Sequence, residues 1–355
     1  MTEYGYFLSC EEFGPDELLD QARMAEDAGF RSLWISDHYH PWNDAQGHSP
    51  FVWSVIGALS QVCRLPVETA VTCPTVRLHP ALVAQAAATS QVLLDGRFRL
   101  GLGSGEALNE HILGGPWPPA DVRLDMLEEA VEVIRALFTG EQITHRGRHY
   151  TVENARLYTL PETPPPIDIS AFGPKAAALA ARIGDGFVTT MPDRELIGTF
   201  RDGDGGGDTD GDTDGGTDGG GKRPDRPVLA ATKVCWSPSR DEAVATAHRL
   251  WANEHLPGEL NQILPTPRHF EQASRLVTEE TVADAVPCGP DPEVHVRRLR
   301  AYADAGADRV HIGQIGPEQR GFFDFYRTEV LPLLDGGGAP AHSQPTHQPT
   351  GGERS

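Results

Sequence analysis

Lysine is almost missing from this chain of 355 residues, which has only three lysines, at positions 175, 222 and 233. Arginine supplies the remaining positive charge, and Asp and Glu outnumber Lys and Arg by 51 to 30, so the formal net charge is −21. A chain this acidic lacks the clustered cations that nucleic acid or an anionic membrane surface requires. We therefore expect neither of these as a partner.

Paired cysteines and long apolar runs are missing as well. The five cysteines are odd in number and widely spaced, with no C-x-x-C motif that would indicate a disulfide framework or a zinc site. No stretch reaches the roughly eighteen consecutive apolar residues of a membrane-spanning helix. The amino terminus does not have the basic and apolar regions of a signal peptide. The composition favours a reduced, cytoplasmic protein.

Strand-like and helix-like segments alternate along most of the chain. The clearest helix covers residues 121–138, where apolar residues recur at spacings of three and four. About eight strand–helix units are present, which favours a closed (β/α)8 barrel over an open doubly wound sheet. Residues 143–152 interrupt the alternation, and their pattern predicts a small hairpin around Gly147.

Two segments have the composition of an unfolded chain. Residues 202–221 are nearly pure Gly, Asp and Thr, and residues 336–355 are rich in Pro, Gly and Ser. Neither can bury enough apolar surface to offset the entropy lost on ordering. A calcium loop is the alternative for the first segment, but the closing Glu and flanking helices of an EF-hand are missing. We expect one barrel domain over 1–335, with a disordered insert at 202–221 and a disordered tail over 336–355.

Two predicted strands end in groups that handle protons. One leads into Asp37 and His38, with Trp42 four residues after the histidine, and the other leads through a Gly-x-Gly-x-Gly turn into Glu106. The catalytic groups of an α/β barrel lie at the carboxyl ends of its strands. A lone histidine is more often structural, and a carboxylate after such a turn can be a helix cap. The crowding of acid–base groups at these two strand ends favours catalysis.

Two further patterns have more than one interpretation. The run Phe-Gly-Pro-Lys at 172–175 joins a strand to a helix start that would attract a phosphate, and a plain tight turn is an equal alternative. The pair His38-x-His40 is typical of metal-dependent amidohydrolase barrels. The later strand ends carry no further ligands of the kind those enzymes need, so we expect no metal.

Together these motifs resemble the luciferase-like barrel oxidoreductases, and within them the branch that uses the deazaflavin coenzyme F420. The match is close to the sugar-phosphate and alcohol dehydrogenases of that branch and covers about residues 4–334, apart from the Gly/Asp tract. It rests on SDHYHPW at 36–42, GHSPF at 47–51, CPTVR at 73–77, GSGEALNE at 103–110 and GDGF at 184–187. The resemblance implies a single TIM-like barrel of the bacterial-luciferase type with insertions.

The resemblance also implies roles for individual residues. His38 would handle the proton of the substrate hydroxyl, Glu106 would be a second acid–base group near the deazaflavin, and Trp42 would orient the alkoxide. A non-prolyl cis peptide is implied near Ala70–Val71. The implied cofactor contacts are Asp37, Cys73, Ser104, Gly105, Asn109, Phe172, Gly173 and Thr190, of which Cys73 departs from the threonine of the sugar-phosphate enzymes.

The implied reaction is hydride transfer between F420 and an alcohol or its carbonyl form. The three basic residues that bind phosphate in the sugar-phosphate enzymes fall near Asp193, Asn261 and Ala285, none of them cationic. We therefore expect a small neutral alcohol rather than a sugar phosphate. The alternatives are an FMN-dependent monooxygenase of luciferase type and a non-catalytic ligand-binding barrel. Dimers are common in that family, so a homodimer stays open, although no interface pattern stands out.

Overall fold

A computed structural model describes residues 1–203 and 226–335. The strands are β1 (Glu3–Leu8), β2 (Leu33–Ile35), β3 (Val67–Thr69), β4 (Phe98–Leu102), β5 (Ile143–Arg146), β6 (Thr151–Ala155), β7 (Ile167–Ser170), β8 (Gly186–Thr189), β9 (Val228–Val234) and β10 (Arg309–Gln314). Eight of them close into a parallel barrel in the order β1-β10-β9-β8-β7-β4-β3-β2, and β5 and β6 form a separate antiparallel hairpin. The predicted (β/α)8 barrel and the predicted hairpin are both confirmed.

Helices surround the barrel. They are α1 (Pro15–Ala28), α2 (Val52–Val62), α3 (Pro80–Leu93), α4 (Ala107–Glu110), α5 (Ala120–Phe138), α6 (Pro174–Ile183), α7 (Arg194–Asp202), α8 (Arg240–Trp251), α9 (Leu260–Ile263), α10 (Pro267–Ser274), α11 (Glu279–Ala285), α12 (Pro292–Ala305), α13 (Gln319–Phe325) and α14 (Leu331–Asp335). The helix predicted over 121–138 is confirmed and begins one residue earlier. Across the described residues, no helix is both long enough and apolar enough to cross a membrane.

The Gly/Asp tract begins at the end of α7. Asp202 is the last residue of that helix and Gly203 follows it, so these first two residues of the predicted insert belong to the end of α7. The remainder of the predicted insert, and the whole predicted tail at 336–355, lie outside the described residues. Their disorder stays a prediction.

Polar side chains fill the barrel interior below its carboxyl-end rim. Arg99 makes a bidentate pair with Asp168, at 2.7 Å from Nε and 2.6 Å from Nη2. Trp34 Nε1 donates to Glu68 at 2.8 Å, and its ring stacks on His311 with the centroids 4.4 Å apart. Burial, and next the charge of Asp168, raise the pKa of Glu68. The interior is thus closed by side chains at this level, which leaves the rim for chemistry.

Candidate active site

Three acid–base side chains meet above the carboxyl ends of β1, β2 and β4. Glu11 follows β1, His38 follows β2 and Glu106 follows β4. His38 Nε2 lies 3.4 Å from Glu11 Oε1 and 3.7 Å from Glu106 Oε2. Side-chain exposure rises outwards from 2% for Glu11 to 12% for His38 and 33% for Glu106. One imidazole therefore stands between two carboxyl groups, and the open side of the group is at Glu106.

Asn109 holds the other edge of the imidazole. Its Oδ1 accepts hydrogen bonds from the backbone N–H groups of Tyr39 (2.9 Å) and His40 (3.3 Å), which assigns the amide nitrogen to the opposite side. That nitrogen lies 3.2 Å from His38 Nδ1, and the His40 carbonyl oxygen is also 3.2 Å from Nδ1. Nδ1 therefore has a partner whether it accepts or donates, so the neutral ring can carry its proton on either nitrogen.

Glu11 is a site residue that sequence analysis misses. Its Oε2 accepts hydrogen bonds from the hydroxyls of Ser9 (2.8 Å) and Ser36 (2.7 Å). Burial acts to raise the pKa of Glu11, but the charges of His38 and Lys233 and the two hydroxyls outweigh it, so the net shift is downward. Its position close after the end of β1 is the sequence pattern that could have indicated it, because other polar groups of the site follow their strands in the same way.

The pKa of Glu106 shifts in the opposite direction from that of Glu11. Burial raises the pKa of Glu106 from 4.5 to about 7, with attraction to His38 opposing the shift and repulsion from Glu11 and Glu110 adding to it. The two carboxyl groups on either side of His38 thus differ in protonation near neutral pH. Such a difference between neighbouring carboxyl groups separates acid from base roles in enzymes.

Trp42 covers one side of His38. The two ring centroids are 5.0 Å apart, and the far side of the indole meets Phe270 edge-on at 4.9 Å. The Trp42 backbone N–H donates to Gln46 Oε1 at 2.8 Å, which fixes the loop that carries the indole. The predicted cluster of His38, Trp42 and Glu106 is therefore assembled, with an apolar wall that keeps water from the imidazole.

Asp37 ties the end of β2 to the segment that follows β3. Its Oδ2 accepts a hydrogen bond from Thr72 Oγ1 at 2.7 Å, and its Oδ1 accepts one from Arg77 Nη2 at 2.8 Å. Arg77 Nε also lies 3.6 Å from Glu110 Oε1, so one buried guanidinium serves two carboxyl groups. Both oxygens of Asp37 are engaged within the protein, and its contact with a cofactor stays a prediction.

A glycine-rich turn follows β4. A methyl group added at Gly103 would lie 2.6 Å from Val71 Cγ2 and 3.8 Å from Cys73 Sγ. The peptide between Ala70 and Val71 is cis, as the resemblance implies. The backbone at Gly103 therefore lies directly against Val71 and leaves Cys73 beside the rim. Both Gly103 and Cys73 belong to segments in which cofactor contacts are predicted.

Gly105 lies beside an unsatisfied hydroxyl. It has a φ of +91°, which favours glycine, and a Cβ there would meet the ring carbon Cη2 of Trp117 at 3.1 Å and Thr75 Oγ1 at 3.3 Å. Trp117 Nε1 and Thr75 Oγ1 are buried and have no hydrogen-bond partner in the described part of the chain. Buried polar groups in native proteins normally have partners. A polar ligand bound along this turn fits the observation.

The remaining predicted cofactor residues lie after β7 and β8, next along the rim. Phe172 is exposed, although it is a large apolar side chain. Gly173 precedes α6 and makes no side-chain cap, so the first N–H groups of that helix are free to meet an anion. The carbonyl of Thr190 accepts a hydrogen bond from the Tyr302 hydroxyl at 2.7 Å. The predicted contacts thus form two groups, one after β2 to β4 and one after β7 and β8.

The metal interpretation of His38-x-His40 gains no support from the geometry. His40 Nδ1 lies 3.0 Å from the Leu108 carbonyl oxygen and is engaged there. Over residues 1–203 and 226–335, no three His, Cys, Asp or Glu side chains are grouped so that they could hold a metal ion.

Sequence analysis also misses a pair of charged residues at the barrel mouth. Lys233 Nζ, from β9, is 3.7 Å from Glu254 Oε1. Burial raises the pKa of Glu254, the charge of Lys233 opposes that shift, and repulsion from Glu11 adds to it. Nothing in the apolar run of β9 signals that its lysine belongs to the site.

Comparison with known proteins shows that the chain is similar to F420-dependent dehydrogenases. A profile of the luciferase-like monooxygenase family matches residues 2–309. The chain is 36% identical to an F420-dependent glucose-6-phosphate dehydrogenase of Microbacterium testaceum, over 93% of this chain and 97% of that protein. It is 37% identical to the F420-dependent hydroxymycolic acid dehydrogenase of Mycobacterium tuberculosis, over 93% and 88%. A solved F420-dependent secondary alcohol dehydrogenase in complex with an F420–acetone adduct superposes with a TM-score of 0.83 at 31% identity, covering 93% and 98%.

Proposed function

This chain belongs to the luciferase-like monooxygenase family, and we propose that it is a coenzyme F420-dependent dehydrogenase acting on a small alcohol or its carbonyl form. The observation that carries the proposal is the row of Glu11, His38 and Glu106 at one rim. Oxidation of an alcohol needs a base that takes the hydroxyl proton, and the reduced cofactor would need an acid that supplies a proton; this row offers both. The F420-dependent dehydrogenases that match nearly the whole chain support the cofactor.

His38 acts as the base. With the Nδ1 proton donated to the His40 carbonyl, Nε2 has a free lone pair and takes the hydroxyl proton of the alcohol. The Glu11 carboxylate, 3.4 Å from Nε2, stabilises the imidazolium that forms. Trp42 covers the ring and keeps water from competing for the proton. In carbonyl reduction the imidazolium returns the proton to the alkoxide.

Glu106 is the second proton handler. Its carboxyl group is partly protonated at neutral pH because its pKa is about 7. On alcohol oxidation Glu106 would give this proton to the reduced cofactor, and on carbonyl reduction it would take the proton back. When bound, the deazaflavin supplies the hydride acceptor or donor, since it exchanges hydride without needing oxygen.

The two groups of rim residues would hold F420. After β4, Gly103 packs against Val71 with Cys73 beside it, and the unpartnered Thr75 hydroxyl near Gly105 would offer the cofactor a hydrogen bond. After β7, the start of α6 at Gly173 offers backbone N–H groups to an anionic part of the cofactor. Asp37, Cys73, Ser104, Asn109, Phe172 and Thr190 complete the proposed contacts.

The substrate is a neutral alcohol in this proposal. Asp193 accepts the N–H groups of Glu195 and Leu196, at 2.9 and 3.0 Å, as the amino-terminal cap of α7, so a carboxylate stands where a phosphate ligand would be needed. Arg194 turns away to the carbonyl of Asp304. Near the third position, Arg298 donates a hydrogen bond to the carbonyl oxygen of Ala285 at 2.8 Å. Because this cation lies near a position where the sugar-phosphate enzymes bind phosphate, the substrate test must include glucose 6-phosphate.

Cofactor binding and a substrate panel test the proposal. We expect F420 to bind the purified protein and FMN not to bind, as measured by fluorescence titration. With F420 bound, we expect a small secondary or primary alcohol to bleach the deazaflavin absorbance, and glucose 6-phosphate to leave it unchanged. Binding of FMN with oxygen consumption would favour the monooxygenase instead. Binding of F420 without turnover of any alcohol or carbonyl compound would favour a non-catalytic barrel.

We extend the proposal to a homodimer formed through α2 and α3. These two packed helices carry no charged residue, in a chain with a net charge of −21. The apolar side chains of Leu82, Val92 and Leu93 stand exposed on α3, and Leu82 is 58% exposed. Two copies of so acidic a chain repel each other over most of their surface, but not where two uncharged faces meet. The exposed apolar face of α2 and α3 therefore favours a second copy of this chain as its partner.

A charge placed on this face tests the dimer. We expect Leu82→Glu to convert a dimer into a monomer, as measured by light scattering coupled to size-exclusion chromatography. The control is Leu276→Glu, at a leucine outside α2 and α3 that is 85% exposed, which should leave the mass unchanged. A wild-type monomer, or a dimer that survives Leu82→Glu, would contradict the assignment of this face.

A further inference from the structure

Arg123 is a buried cation beside the active site that the proposed proton transfers do not use. It lies near the start of α5 and is 3% exposed. Its Nη1 donates a hydrogen bond to the Gly105 carbonyl oxygen at 2.9 Å, and its Nη2 donates one to Gln262 Oε1 at 3.1 Å. Its guanidinium carbon lies 4.4 Å from the centroid of the Trp117 ring. The atoms that accept its hydrogen bonds are thus neutral oxygens.

No carboxylate pairs with this guanidinium in the part of the chain that the structure describes. Over residues 1–203 and 226–335, no carboxylate oxygen lies within 4.0 Å of the nitrogen atoms of Arg123, and its Nε has no hydrogen-bond partner. A buried cation without such a partner costs stability relative to an apolar side chain of similar volume. Packing alone therefore does not account for an arginine at this position.

The Gly105 carbonyl belongs to the peptide that leads directly into Glu106. On the other side, the carbonyl oxygen of Glu106 itself accepts hydrogen bonds from the backbone N–H groups of Asn109 (3.1 Å) and Glu110 (3.2 Å). Arg123 supplies the contact on the preceding side, and it comes from a different helix. The backbone of Glu106 is therefore held both before and after this residue.

The side chain of Glu106 has weaker contacts of its own. Its Oε2 lies 3.4 Å from Asn109 Nδ2 and 3.7 Å from His38 Nε2, and the side chain is 33% exposed. Good hydrogen bonds between nitrogen and oxygen are about 2.7–3.2 Å long. These contacts hold the carboxyl group weakly, so its place beside His38 depends on the backbone turn that precedes it.

We propose that Arg123 is a positioning residue that fixes the turn before Glu106 and so keeps its carboxyl group beside His38. Arg123 acts through the Gly105 carbonyl and does not touch the reacting atoms. Without the guanidinium, that carbonyl loses its hydrogen-bond partner and the turn relaxes. The consequence for turnover rests on the proposed dehydrogenase function, whereas the place of the carboxyl group does not.

Substitution by methionine separates the hydrogen bonds of Arg123 from its packing. Methionine is flexible and apolar, and its sulfur makes favourable contacts with aromatic rings, so Arg123→Met retains a contact with Trp117 and removes both donors. Arg300→Met is the matched control, because Arg300 also donates from Nη2 to a backbone carbonyl, that of Leu333 at 3.1 Å, on the surface at α12.

Crystal structures of the two variants without cofactor give the direct readout. We expect Arg123→Met to move Glu106 Oε2 from 3.7 Å to more than about 6 Å from His38 Nε2, beyond the range of strong influence between such groups. Arg300→Met should keep the wild-type distance. Should Arg123→Met not fold, Arg123→Lys takes its place, since a single ammonium group does not reproduce the two-armed contact. A carboxyl group that keeps its place beside His38 in the variant that folds would overturn the proposal.

A kinetic readout tests the consequence. At saturating F420 and alcohol, kcat of Arg123→Met should be at least about tenfold below wild type at about pH 6, and its pH profile should be flatter, because a displaced Glu106 no longer supplies the proton. Arg300→Met should keep the wild-type kcat and pH profile.

The double variant separates positioning from a general loss of structure. In Glu106→Gln the proton that Arg123 helps to place is already missing, so adding Arg123→Met should change kcat by less than about threefold. The same fractional loss in the wild-type and Glu106→Gln backgrounds would indicate a general structural role and contradict the proposal. Should the wild-type protein turn over no alcohol, the dehydrogenase function fails, while the crystal structures still decide the role of Arg123.

Discussion

Replacing Glu106 by glutamine removes a titrating group and keeps its size. In the structure the pKa of Glu106 is about 7, where an ordinary carboxyl group has 4.5. A group with a pKa of about 7 is about nine-tenths protonated at pH 6 and about one-tenth protonated at pH 8. If oxidation requires the protonated form, kcat of wild-type protein should fall about tenfold between these pH values, since protons are lost as pH rises through the pKa.

Glu106→Gln should have a lower kcat than the wild-type protein and should lose the pH dependence of kcat. An amide cannot supply the proton, so we expect kcat of Glu106→Gln to be about 10²- to 10⁴-fold lower at pH 6 and the alkaline limb to vanish. The assay is the steady-state bleaching of F420 by a saturating alcohol across the pH range, with F420 affinity measured separately. Glu153→Gln, at a surface carboxylate of β6, is the control and should keep the wild-type profile. An alkaline limb that persists in Glu106→Gln would refute the assignment of that midpoint to Glu106.

Two further predictions concern the neighbouring groups. His38→Ala should leave F420 affinity close to wild type and lower kcat by about 10²- to 10⁴-fold, as measured by fluorescence titration and F420 bleaching; unchanged turnover would remove His38 from the mechanism. Arg77→Met should cost about 3–5 kcal/mol in urea unfolding at neutral pH, because it leaves the buried Asp37 and Glu110 without their cation. Burial already raises the pKa of Glu110, so this loss should shrink as pH falls and the carboxyl group takes up a proton; a loss that grows at acid pH would contradict the reasoning.

The barrel was predictable from the sequence because its signal is repeated. Each strand–helix unit shows an apolar run followed by a helical period, and errors at single boundaries do not change the count. Short helices escape this reasoning, since α4 and α9 contain four residues each and show no period. Their positions depend on the packing of loops over the rim, which no local pattern encodes.

Site residues were predictable only where an acid–base side chain closely follows the end of a strand. His38 and Glu106 carry that signal and do meet. Glu11 carries it as well and was overlooked, because no glycine turn or histidine stands beside it. Lys233 was not predictable from sequence, since its burial depends on contact with Trp251, which local sequence patterns do not show.

Asp37 shows the limit of the strand-end argument. A cofactor contact of Asp37 stays a prediction, and the structure engages both of its oxygens with Thr72 and Arg77, which the sequence did not indicate. The sequence places the group at the rim and does not show where its side chain turns, because the partners come from the segment after β3. Position along the chain was predictable here, and orientation was not.

Transfer of an isotope label from substrate to cofactor tests the central claim most directly. An alcohol carrying deuterium on its carbinol carbon is mixed with F420 and the wild-type protein, and the reduced cofactor is analysed by mass spectrometry after one turnover. We expect the deuterium to appear on the deazaflavin, and His38→Ala to abolish nearly all of this transfer. Reduced cofactor without deuterium, or no reduction with any alcohol that binds, would contradict this expectation.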